Sequence, residues 1–351
     1  MTRKIPVGIL GATGTVGQRF IQLLDQHPWF EVAWLAASDR SAGKAYADAA
    51  KWNLATPLPA RVAAMKVSPA APDKTTPRLV FAALDATAAQ QIEPVFAEAG
   101  HAVVSNSSAF RMAEDVPLVI PEVNGDHVAL IKTQKWYKHN GGFMVTNPNC
   151  SAIGLVLALA PLHRRFGIDK IFVATMQAIS GAGYPGVPSM DILGNVIPYI
   201  AREEDKMEAE SRKLLGTLNG SGIVPADLAL SAHCNRVAVE DGHTESVSLK
   251  LKQPARAEEI IAAWKEFHCL PQKLKLPTAP EQPVEYDAAP DRPQPRLDRD
   301  RGRGMSSVVG RLRPCNIFDW KFTVLSHNTI RGAAGAALLN GELLKAQGYL
   351  D

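Results

Sequence analysis

The feature that most constrains the fold is a glycine-rich turn placed between an apolar run and a segment with helical spacing. Residues 5–10 are apolar, residues 11–17 are GATGTVG, and residues 18–24 repeat apolar side chains with a helical period. A strand, a glycine turn and a helix in this order form the first unit of a dinucleotide-binding sheet. In that unit the backbone approaches a pyrophosphate, and the helix N-terminus supplies amides. The residues predicted to contact a dinucleotide here are Gly11, Thr13, Gly14, Thr15 and Val16.

The loop after the second predicted strand bears on the choice of cofactor. Residues 31–37 are apolar and lead into Ser38, Asp39, Arg40 and Ser41, with Lys44 close behind. An NAD site favours an acidic residue at this point, whereas cations and hydroxyls suit a 2′-phosphate. We therefore predict NADP, with Ser38, Arg40 and Ser41 as contacts. Asp39 is the contrary signal, and a merely solvated loop is the alternative.

The rest of the first half alternates between strands and a helix. Strands are predicted at residues 78–84, 101–106 and 118–124, and a helix is predicted at residues 88–100. This alternation indicates a doubly wound parallel sheet of the Rossmann type, in an α/β fold that continues to about residue 147.

Cys150 lies between a predicted strand at residues 142–146 and an apolar segment, residues 151–160, that favours a buried helix. It would therefore sit at or next to the helix N-cap, where free amides and the helix dipole favour an anion. A thiol in that position tends to ionise, and the thiolate is the nucleophilic form. Free cysteines are more often buried small hydrophobes. The turn and the Asn-Pro-Asn lead-in favour a nucleophile here.

The second half has longer strands and fewer helices. Strands are predicted at residues 171–180, 245–252, 306–312 and 320–325, and helices at about 190–200, 202–215 and 256–267. This pattern favours an α+β domain with a mixed sheet. Residues 276–304 are rich in Pro, Asp and Arg, which predicts an irregular loop, and residues 329–347 predict a final amphipathic helix. We divide the chain into a nucleotide-binding domain (1–147), a catalytic and dimerisation domain (148–328), and a C-terminal helix (329–351) that packs back on the first domain.

Composition excludes several classes of protein. The chain has 351 residues and a formal net charge of +3, without the concentrated basic patch of a nucleic-acid-binding protein. No apolar run reaches the length of a membrane span, and the first residues lack a signal-peptide pattern. Its 4 cysteines form no CxxC pair, so neither a disulfide framework nor a metal site is indicated. We expect a reduced cytoplasmic protein.

Several segments together resemble aspartate-semialdehyde dehydrogenase, in the branch typical of archaea and fungi. They extend over nearly the whole chain, and as a set they are highly specific. The matching segments are residues 11–17, 105–111 (SNSSAFR), 147–151 (NPNCS), 177–186 (QAISGAGYPG) and 235–245 (NRVAVEDGHTE), with a weaker match around Asn328.

The resemblance implies reduction of L-4-aspartyl phosphate by NADPH to L-aspartate 4-semialdehyde and inorganic phosphate, in the synthesis of lysine, methionine and threonine. Cys150 would attack the acyl phosphate and form a thioester, which divides one difficult step into two. His243 would be the acid/base, because an imidazole suits proton transfer near neutral pH. Gln177 would orient the substrate or the thioester carbonyl. For His243 and Gln177 a hydrogen-bonded structural role is the alternative.

The resemblance also assigns binding roles. Arg236 matches the clamp on the substrate α-carboxylate, for which a planar guanidinium is suited. Glu203 would meet the substrate amino group, and Lys206, Arg111 and Asn106 would hold the phosphate. Spacing alone makes the Glu203–Lys206 pair solvated helix decoration.

Further cofactor contacts and the assembly follow from the same resemblance. The family associates through its second sheet, so a homodimer or homotetramer is expected. Asn328 has an alternative role as the N-cap of the last helix. The additional residues expected at the cofactor are Ser107, Ser180, Gly181, Gly183 and Asn328.

Two other functions compete with this interpretation. One is a related reductase with a different acyl substrate, such as malonyl-CoA reductase or N-acetyl-glutamyl-phosphate reductase. The latter usually carries Asn-Pro-Gly-Cys at the nucleophile, so Asn149 counts against it, whereas malonyl-CoA reductases are excluded less firmly. The other is a non-catalytic nucleotide-binding protein, which would have lost Cys150 or His243.

Overall fold

The computed structural model describes residues 3–220 and 222–350, and its first half is built on a parallel sheet of six strands. The strand order is β3-β2-β1-β4-β5-β6, and every pair is parallel. The order reverses between β1 and β4, which is where open α/β sheets bind ligands. The strands are β1 Ile5–Leu10, β2 Phe30–Ala37, β3 Val67–Pro69, β4 Leu79–Ala82, β5 Ala102–Ser105 and β6 Phe143–Thr146. The predicted doubly wound sheet is confirmed.

Helices cover this sheet, and every residue of β4, β5 and β6 is buried. Complete burial is typical of parallel strands enclosed on both faces. The predicted helix at 88–100 is found slightly earlier, because the Asp85 side chain accepts hydrogen bonds from the amides of Thr87 and Ala88 and so caps its start. The helices are α1 Thr15–Leu24, α2 Tyr46–Ala49, α3 Ala60–Ala63, α4 Ala86–Glu98, α5 Pro121–Asn124 and α6 Lys135–Asn140, with a 3₁₀ segment at Gly125–Thr133.

The strand predicted at residues 118–124 is wrong. Only Leu118 forms a bridge, with Thr146, and the chain then turns into the short helix α5. Asn124 causes the turn, because its side chain accepts from the Ile120 amide at 2.8 Å and donates to the Leu118 carbonyl at 2.8 Å. Pro121 at the first helical turn favours the same helix start.

The second half contains a mixed sheet in the order β10-β7-β11-β14-β13-β12. The two edge pairs are parallel and the three central pairs are antiparallel. All four strands predicted for this half are present, and the mixed sheet is confirmed. The strands are β7 Ile168–Gln177, β8 Thr217–Asn219, β9 Gly222–Val224, β10 Ala229–Arg236, β11 His243–Leu251, β12 Val284–Asp287, β13 Ser307–Pro314 and β14 Trp320–Ser326, where β8 and β9 form a separate hairpin.

One long buried helix organises this half. Helix α7 is buried from Ser151 to Leu162 and packs in the core beside α9, α10 and the second sheet. The predicted helices at 202–215 and 256–267 are confirmed. The helices are α7 Cys150–Phe166, α8 Ser189–Ile192, α9 Glu203–Leu214, α10 Ala257–Lys265, α11 Leu270–Lys273, α12 Pro295–Asp298 and α13 Gly335–Ala346, with 3₁₀ turns at Ile179–Ala182 and Arg301–Gly304 and a π turn at Ile330–Ala334.

Three further expectations need correction. The helix predicted at 190–200 is only the single turn α8, because Gly194 takes a left-handed φ of +69° that ends it. The predicted loop 276–304 includes strand β12, which pairs with β13 at the sheet edge. The last helix is not amphipathic, since α13 is buried from Gly335 to Leu344.

Helix α13 lies against the first sheet rather than the second. Its residues share a core with Val7, Ile9, Leu79 and Phe81 of the parallel strands. Gly341 permits this close approach, because a Cβ there would lie 2.9 Å from Cζ of Phe81. The chain therefore returns, after completing the second sheet, to the sheet on which it began.

Candidate active site

Cys150 is the first residue of α7, as the sequence predicted. The preceding Asn149 is the N-cap, and its Oδ1 accepts from the amides of Ser151 at 2.9 Å and Ala152 at 3.1 Å. This cap fixes the start of the helix and leaves the Cys150 side chain at the positive end of the dipole.

His243 lies directly beside the nucleophile candidate. Its Nε2 is 3.3 Å from Cys150 Sγ, and its Nδ1 accepts a hydrogen bond from the Ala178 amide at 3.0 Å. The ring is 1% exposed at the start of β11. Gly242, with a φ of +103°, allows the turn that brings the ring to the sulfur.

The charge state of this pair differs from the sequence-based expectation. Burial, assisted by Glu203, raises the pKa of the Cys150 thiol to about 12, although Arg111 and Arg236 oppose the shift. Burial and the nearby cation Arg236 lower the pKa of His243 to about 3. Burial thus opposes the ionisation of the thiol that the helix N-terminus was expected to favour. The pair rests as a neutral thiol and a neutral imidazole.

Arg236 and Gln177 end two neighbouring strands. They are register partners on β10 and β7, and Arg236 Nη1 donates to the Ala178 carbonyl at 2.7 Å. Gly181 lies against Arg236, because a Cβ there would be 2.9 Å from Arg236 Nη1 and 3.1 Å from His243 Cε1. This glycine keeps open the space between the guanidinium and His243.

Helix α9 presents Glu203 and Lys206 to the site. Glu203 Oε1 accepts from Asn149 Nδ2 at 2.9 Å, and Lys206 Nζ lies 3.5 Å from Glu203 Oε2. Glu203 is buried, so the pair is not the solvated decoration that spacing alone suggests. One carboxylate thus contacts both Asn149, the N-cap residue of α7, and a cation.

Arg111 is held by a residue that the sequence analysis missed. Its Nη1 donates to Glu210 Oε1 at 2.9 Å and its Nη2 to the Asn106 carbonyl at 2.7 Å. Glu210 Oε2 also accepts from the Asn149 amide at 2.6 Å. Glu210 follows Glu203 by seven positions, which is two helical turns, and this spacing was the one available signal.

A cavity of about 570 Å³ joins these groups to the glycine turn. His243 is not among the residues of its wall, but its Nε2 lies 3.3 Å from Sγ of Cys150, which is. The predicted site residues that line the cavity are Thr15, Val16, Asn106, Ser107, Arg111, Cys150, Gln177, Ser180, Gly181, Gly183, Glu203, Lys206, Arg236 and Asn328.

The glycine turn has the shape that a dinucleotide requires. Gly11 has a φ of +74°, and a Cβ there would lie 2.4 Å from the Ala83 carbonyl oxygen. Gly17 packs the helix onto the turn, since its Cβ would lie 2.3 Å from the Gly11 carbonyl oxygen. At Gly14 a Cβ would meet one atom only, at 3.5 Å, so the space before the helix N-terminus stays open. Tight turn, open approach and close helix packing are the three glycine roles of a pyrophosphate cradle. Thr13 lies within this turn.

The residues predicted to contact a 2′-phosphate lie apart from the cavity. Ser38 and Arg40 are exposed in a turn after β2, which the Ser41 amide closes by donating to the Ser38 carbonyl at 2.8 Å. Strand β2 is the neighbour of β1, so this turn stands beside the glycine turn at the same sheet edge. It does not line the cavity that contains Cys150.

Asn328 connects two loops of the site. Its Oδ1 accepts from the Gly242 amide at 2.8 Å, and its Nδ2 donates to Ser180 Oγ at 2.8 Å. The N-cap alternative is wrong, because the following π turn has Thr329 in that position and no side-chain cap bond. Asn328 instead holds Gly242, the residue before His243, through the hydrogen bond to its Oδ1.

Across residues 3–220 and 222–350, no group of three or more His, Cys, Asp or Glu side chains is arranged to hold a metal ion. In the same residues, no helix combines the length and the apolar character that crossing a membrane requires.

Two family models match the chain. Residues 6–131 match the semialdehyde dehydrogenase NAD binding domain, and residues 159–331 match the semialdehyde dehydrogenase dimerisation domain. The first match covers most of the parallel sheet, and the second covers the mixed sheet and the last turns of α7.

Relatives extend the likeness over nearly the full length. The chain is 52% identical to aspartate-semialdehyde dehydrogenase of Archaeoglobus fulgidus over 97% of this chain and 98% of the relative. It is 49% identical to that of Methanothermobacter thermautotrophicus over 97% of this chain and 99% of the relative. The crystal structure of aspartate semialdehyde dehydrogenase with NADP from Candida albicans superposes with a TM-score of 0.91, at 46% identity, over 98% of this chain and 99% of that one. Identity of this extent shows that the chain belongs to the aspartate-semialdehyde dehydrogenase family.

Proposed function

We propose that this enzyme reduces L-4-aspartyl phosphate with NADPH to L-aspartate 4-semialdehyde and inorganic phosphate, through a thioester on Cys150. The observation that carries the proposal is the thiol at the first residue of α7, 3.3 Å from a buried imidazole, in the wall of a cavity that reaches the glycine turn. Such a pair is typical of nucleophilic catalysis by cysteine. The reaction runs in both directions and supplies lysine, methionine and threonine synthesis.

The cavity wall offers complementary groups for each end of an aspartyl phosphate. Arg236 binds the α-carboxylate, and Glu203 binds the α-ammonium group. The cations Arg111 and Lys206, with Asn106, bind the phosphate at the opposite end. All five line the same cavity as Cys150, which supports this distribution.

The cofactor residues fit a dinucleotide at the switch point of the first sheet. Bound NADPH supplies the hydride of the reaction. Gly11, Thr13, Gly14, Thr15 and Val16 bind the pyrophosphate by backbone amides and the helix N-terminus. Ser107, Ser180, Gly181, Gly183 and Asn328 hold the nicotinamide end, while Ser38, Arg40 and Ser41 take the 2′-phosphate. NADP in the crystal structure of the Candida albicans relative supports this assignment.

The chain's own groups account for the covalent steps. Cys150 sulfur attacks the acyl carbon, the bond from carbon to phosphate oxygen breaks, and a thioester remains. Gln177, at the end of β7, orients the thioester carbonyl. His243 acts as the acid/base for the Cys150 sulfur and for the carbonyl oxygen. It does so when the sulfur attacks and when the tetrahedral intermediate collapses. Arg236 holds the substrate so that the acyl carbon faces Cys150.

The organisation of the chain belongs to the same proposal. Residues 1–147 form the NADP-binding domain, residues 148–328 the catalytic and dimerisation domain, and residues 329–351 return to the first. The enzyme is a cytoplasmic homodimer or homotetramer that assembles through its second domain, consistent with the dimerisation model matched at residues 159–331. Its mass in solution decides between these assemblies.

The reaction is tested most directly in the oxidative direction. We expect NADP reduction with L-aspartate 4-semialdehyde to require inorganic phosphate, because phosphate releases the acyl group from sulfur. We expect the variant Cys150→Ala to lose turnover by about 10⁴-fold or more, since no other group there forms a thioester.

The control is Cys315→Ala, which removes a half-exposed thiol from a loop remote from the cavity and should leave turnover unchanged. Turnover by Cys150→Ala near the wild-type level would refute the thioester mechanism. Absent turnover with the semialdehyde would refute the substrate, and malonyl-CoA with NADPH would then be assayed.

A further inference from the structure

The chain between β5 and Leu118 forms no helix or strand, although it carries Arg111. Within it, the backbone carbonyls of Arg111, Ala113 and Val116 accept no hydrogen bond from any backbone amide of the described residues. Arg111 and Val116 are buried. Because a buried carbonyl without a donor is costly, another group has to satisfy them. We call residues 111–116 the Arg111 loop.

One ammonium group satisfies all three carbonyls. Lys213 Nζ, on α9, donates to the Arg111 carbonyl at 2.8 Å, to the Ala113 carbonyl at 2.8 Å and to the Val116 carbonyl at 3.1 Å. An ammonium group has three N–H donors and no acceptor. Lys213 is 6% exposed, and each of its three donors has an acceptor in the loop. The side chain thus gathers three points of an otherwise irregular backbone.

We infer that Lys213 positions the Arg111 loop and, through it, the guanidinium that holds the substrate phosphate. The inference rests on the proposed function, in which Arg111 binds the phosphate. Lys213 does not line the cavity that contains Cys150. It therefore acts through Arg111 and is a positioning residue, not a catalytic one.

Helix α9 holds Arg111 at two separate points. Glu210 Oε1 accepts from Arg111 Nη1 at 2.9 Å, while Lys213 binds the main chain of the same residue. Glu210 and Lys213 are three positions apart, so they share a face of the helix with Glu203 and Lys206. With both its main chain and its guanidinium bound to α9, Arg111 has a fixed direction relative to the other side chains that this helix presents to the site.

The chain just beyond the loop is held by a different element. The Pro117 carbonyl accepts from the Thr146 amide at 2.9 Å and from Thr146 Oγ1 at 3.0 Å, which joins it to β6. These bonds lie six residues from Arg111. Among the described residues, the Arg111 carbonyl accepts from Lys213 alone. Loss of the Lys213 ammonium would therefore free the loop at Arg111 and leave its far end in place.

The protonation of Lys213 sets how many carbonyls it can bind. Burial lowers the pKa of the Lys213 ammonium to about 8, although Asp115 and Glu210 oppose the shift. The other charged or titratable groups around it are Arg111 and His127, and burial lowers the pKa of His127, which stays neutral in this range. The ammonium is present below about pH 8. Above that pH, a neutral amine offers two N–H groups to three carbonyls, so the loop is held less firmly.

Hydrogen exchange of the free, full-length enzyme, followed by mass spectrometry, tests the loop without any substrate. Lys213→Met keeps an apolar stem and removes all three donors. We expect a peptide spanning residues 111–116 to exchange about tenfold faster than in wild type. The control is Arg212→Met, which removes a cation from the adjacent, exposed position of α9 and should change this exchange by less than about twofold. Equal exchange in Lys213→Met and wild type would overturn the inference, whatever the substrate is.

Steady-state kinetics in the oxidative direction tests the connection to phosphate. We expect Lys213→Met to raise the KM for inorganic phosphate about tenfold, because Arg111 is displaced. The KM values for NADP and for L-aspartate 4-semialdehyde should stay within about twofold, since neither compound occupies the phosphate position. An equal rise in all three KM values would indicate general loss of structure and exclude a positioning role. Absent turnover in wild type would refute the proposed function, whereas hydrogen exchange would still decide whether Lys213 holds the loop.

Lys213→Arg tests the role of the charge. Its guanidinium stays protonated at pH 9 and retains several donors. We expect the phosphate KM of wild type to rise from pH 7 to pH 9 about threefold more than that of Lys213→Arg. Comparison of the two enzymes cancels the titration of phosphate itself. Identical pH profiles would show that the ammonium charge does not hold the loop. Both enzymes keep a cation at position 213, so this test applies even where Lys213→Met does not fold.

Discussion

At the scale of single residues, Glu210 joins the two functional ends of the site. One oxygen binds the Arg111 guanidinium and the other binds the Asn149 amide next to Cys150. Charged hydrogen bonds of this kind contribute about 1.5–3 kcal/mol each. The carboxylate therefore sets the distance between the proposed phosphate cation and the nucleophile.

Glu210→Gln tests this linkage. The amide group places a donor against either Arg111 or the Asn149 N–H and removes the negative charge, so Glu210 holds Arg111 less firmly. We expect the KM for inorganic phosphate to rise about tenfold, which corresponds to the loss of about one such hydrogen bond. Steady-state kinetics at varied phosphate measures it.

Asp205→Asn is the matched control, because it removes one negative charge from an exposed position on the same helix. It should change the KM for phosphate by less than about twofold. A Glu210→Gln enzyme with the phosphate KM of the control would show that Glu210 does not position Arg111.

At the scale of secondary-structure elements, α4 carries a buried acid against β5. Glu93 is 0% exposed, and its Oε1 accepts from Ser105 Oγ at 2.7 Å. Burial raises its pKa to about 7, while Ser105 and Arg111 oppose the shift. The carboxyl is therefore protonated in the folded protein at a pH where the unfolded chain has already ionised.

Glu93→Gln should remove a pH-dependent loss of stability. A raised folded-state pKa stabilises the protein fully below the unfolded value, near 4.5, and this stabilisation is lost as pH rises through about 7. At pH 8 the wild type buries an ionised carboxylate, at a cost of up to about 3 kcal/mol. We expect Glu93→Gln to melt several degrees higher than wild type at pH 8 and within a degree at pH 5.

Differential scanning calorimetry at pH 5 and pH 8 measures these melting temperatures. Glu98→Gln, at an exposed residue in the last turn of α4, is the control. An equal shift for Glu93→Gln at pH 5 and pH 8 would contradict a titrating carboxyl.

An element was predictable from the sequence where its local sequence preference and its tertiary contacts favour the same structure. Short-range sequence signals predict the strand, glycine turn and helix at the start of the chain. They also predict Cys150 at the start of α7. Glu210 did not, because α9 carries acidic side chains on several faces and only the fold shows which one meets Arg111. The error at residues 118–124 has the same origin, since the apolar run favours a strand but the Asn124 side chain bends the backbone.

At the scale of the whole molecule, a buried ion pair connects the two halves of the chain. Arg331 in the π turn donates to both oxygens of Glu122 in α5, at 2.8 and 2.7 Å, and both side chains are 0% exposed. The next residue, Gly332, lies against Cys150, where a Cβ would be 2.6 Å from Cys150 Cβ. The pair thus holds the turn on which Cys150 rests.

Removal of one partner should be costly, and removal of both should be tolerated. Arg331→Met leaves Glu122 buried without a cation, which costs about 3–5 kcal/mol, so we expect a melting temperature lower by about 5 °C or more. The double variant with Glu122→Leu should recover most of the loss, because two apolar side chains replace the pair.

The control for these substitutions is Arg61→Met, which breaks an exposed ion pair with Glu31. It should lower the free energy of unfolding by less than about 1 kcal/mol. A double variant that melts no higher than Arg331→Met would contradict the electrostatic explanation and point to packing alone.

The return of the chain to its first sheet also has a consequence for the timing of synthesis. Asn147 Nδ2 donates to the Ala333 carbonyl across 186 positions of sequence, and Gly332 closes against Cys150. On the ribosome, the first sheet and the nucleophile emerge long before the turn that supports them. Until then the nascent chain lacks both the turn against Cys150 and the helix α13 that completes the core of the first sheet. Catalytic competence therefore appears only when residues 328–346 have left the exit tunnel.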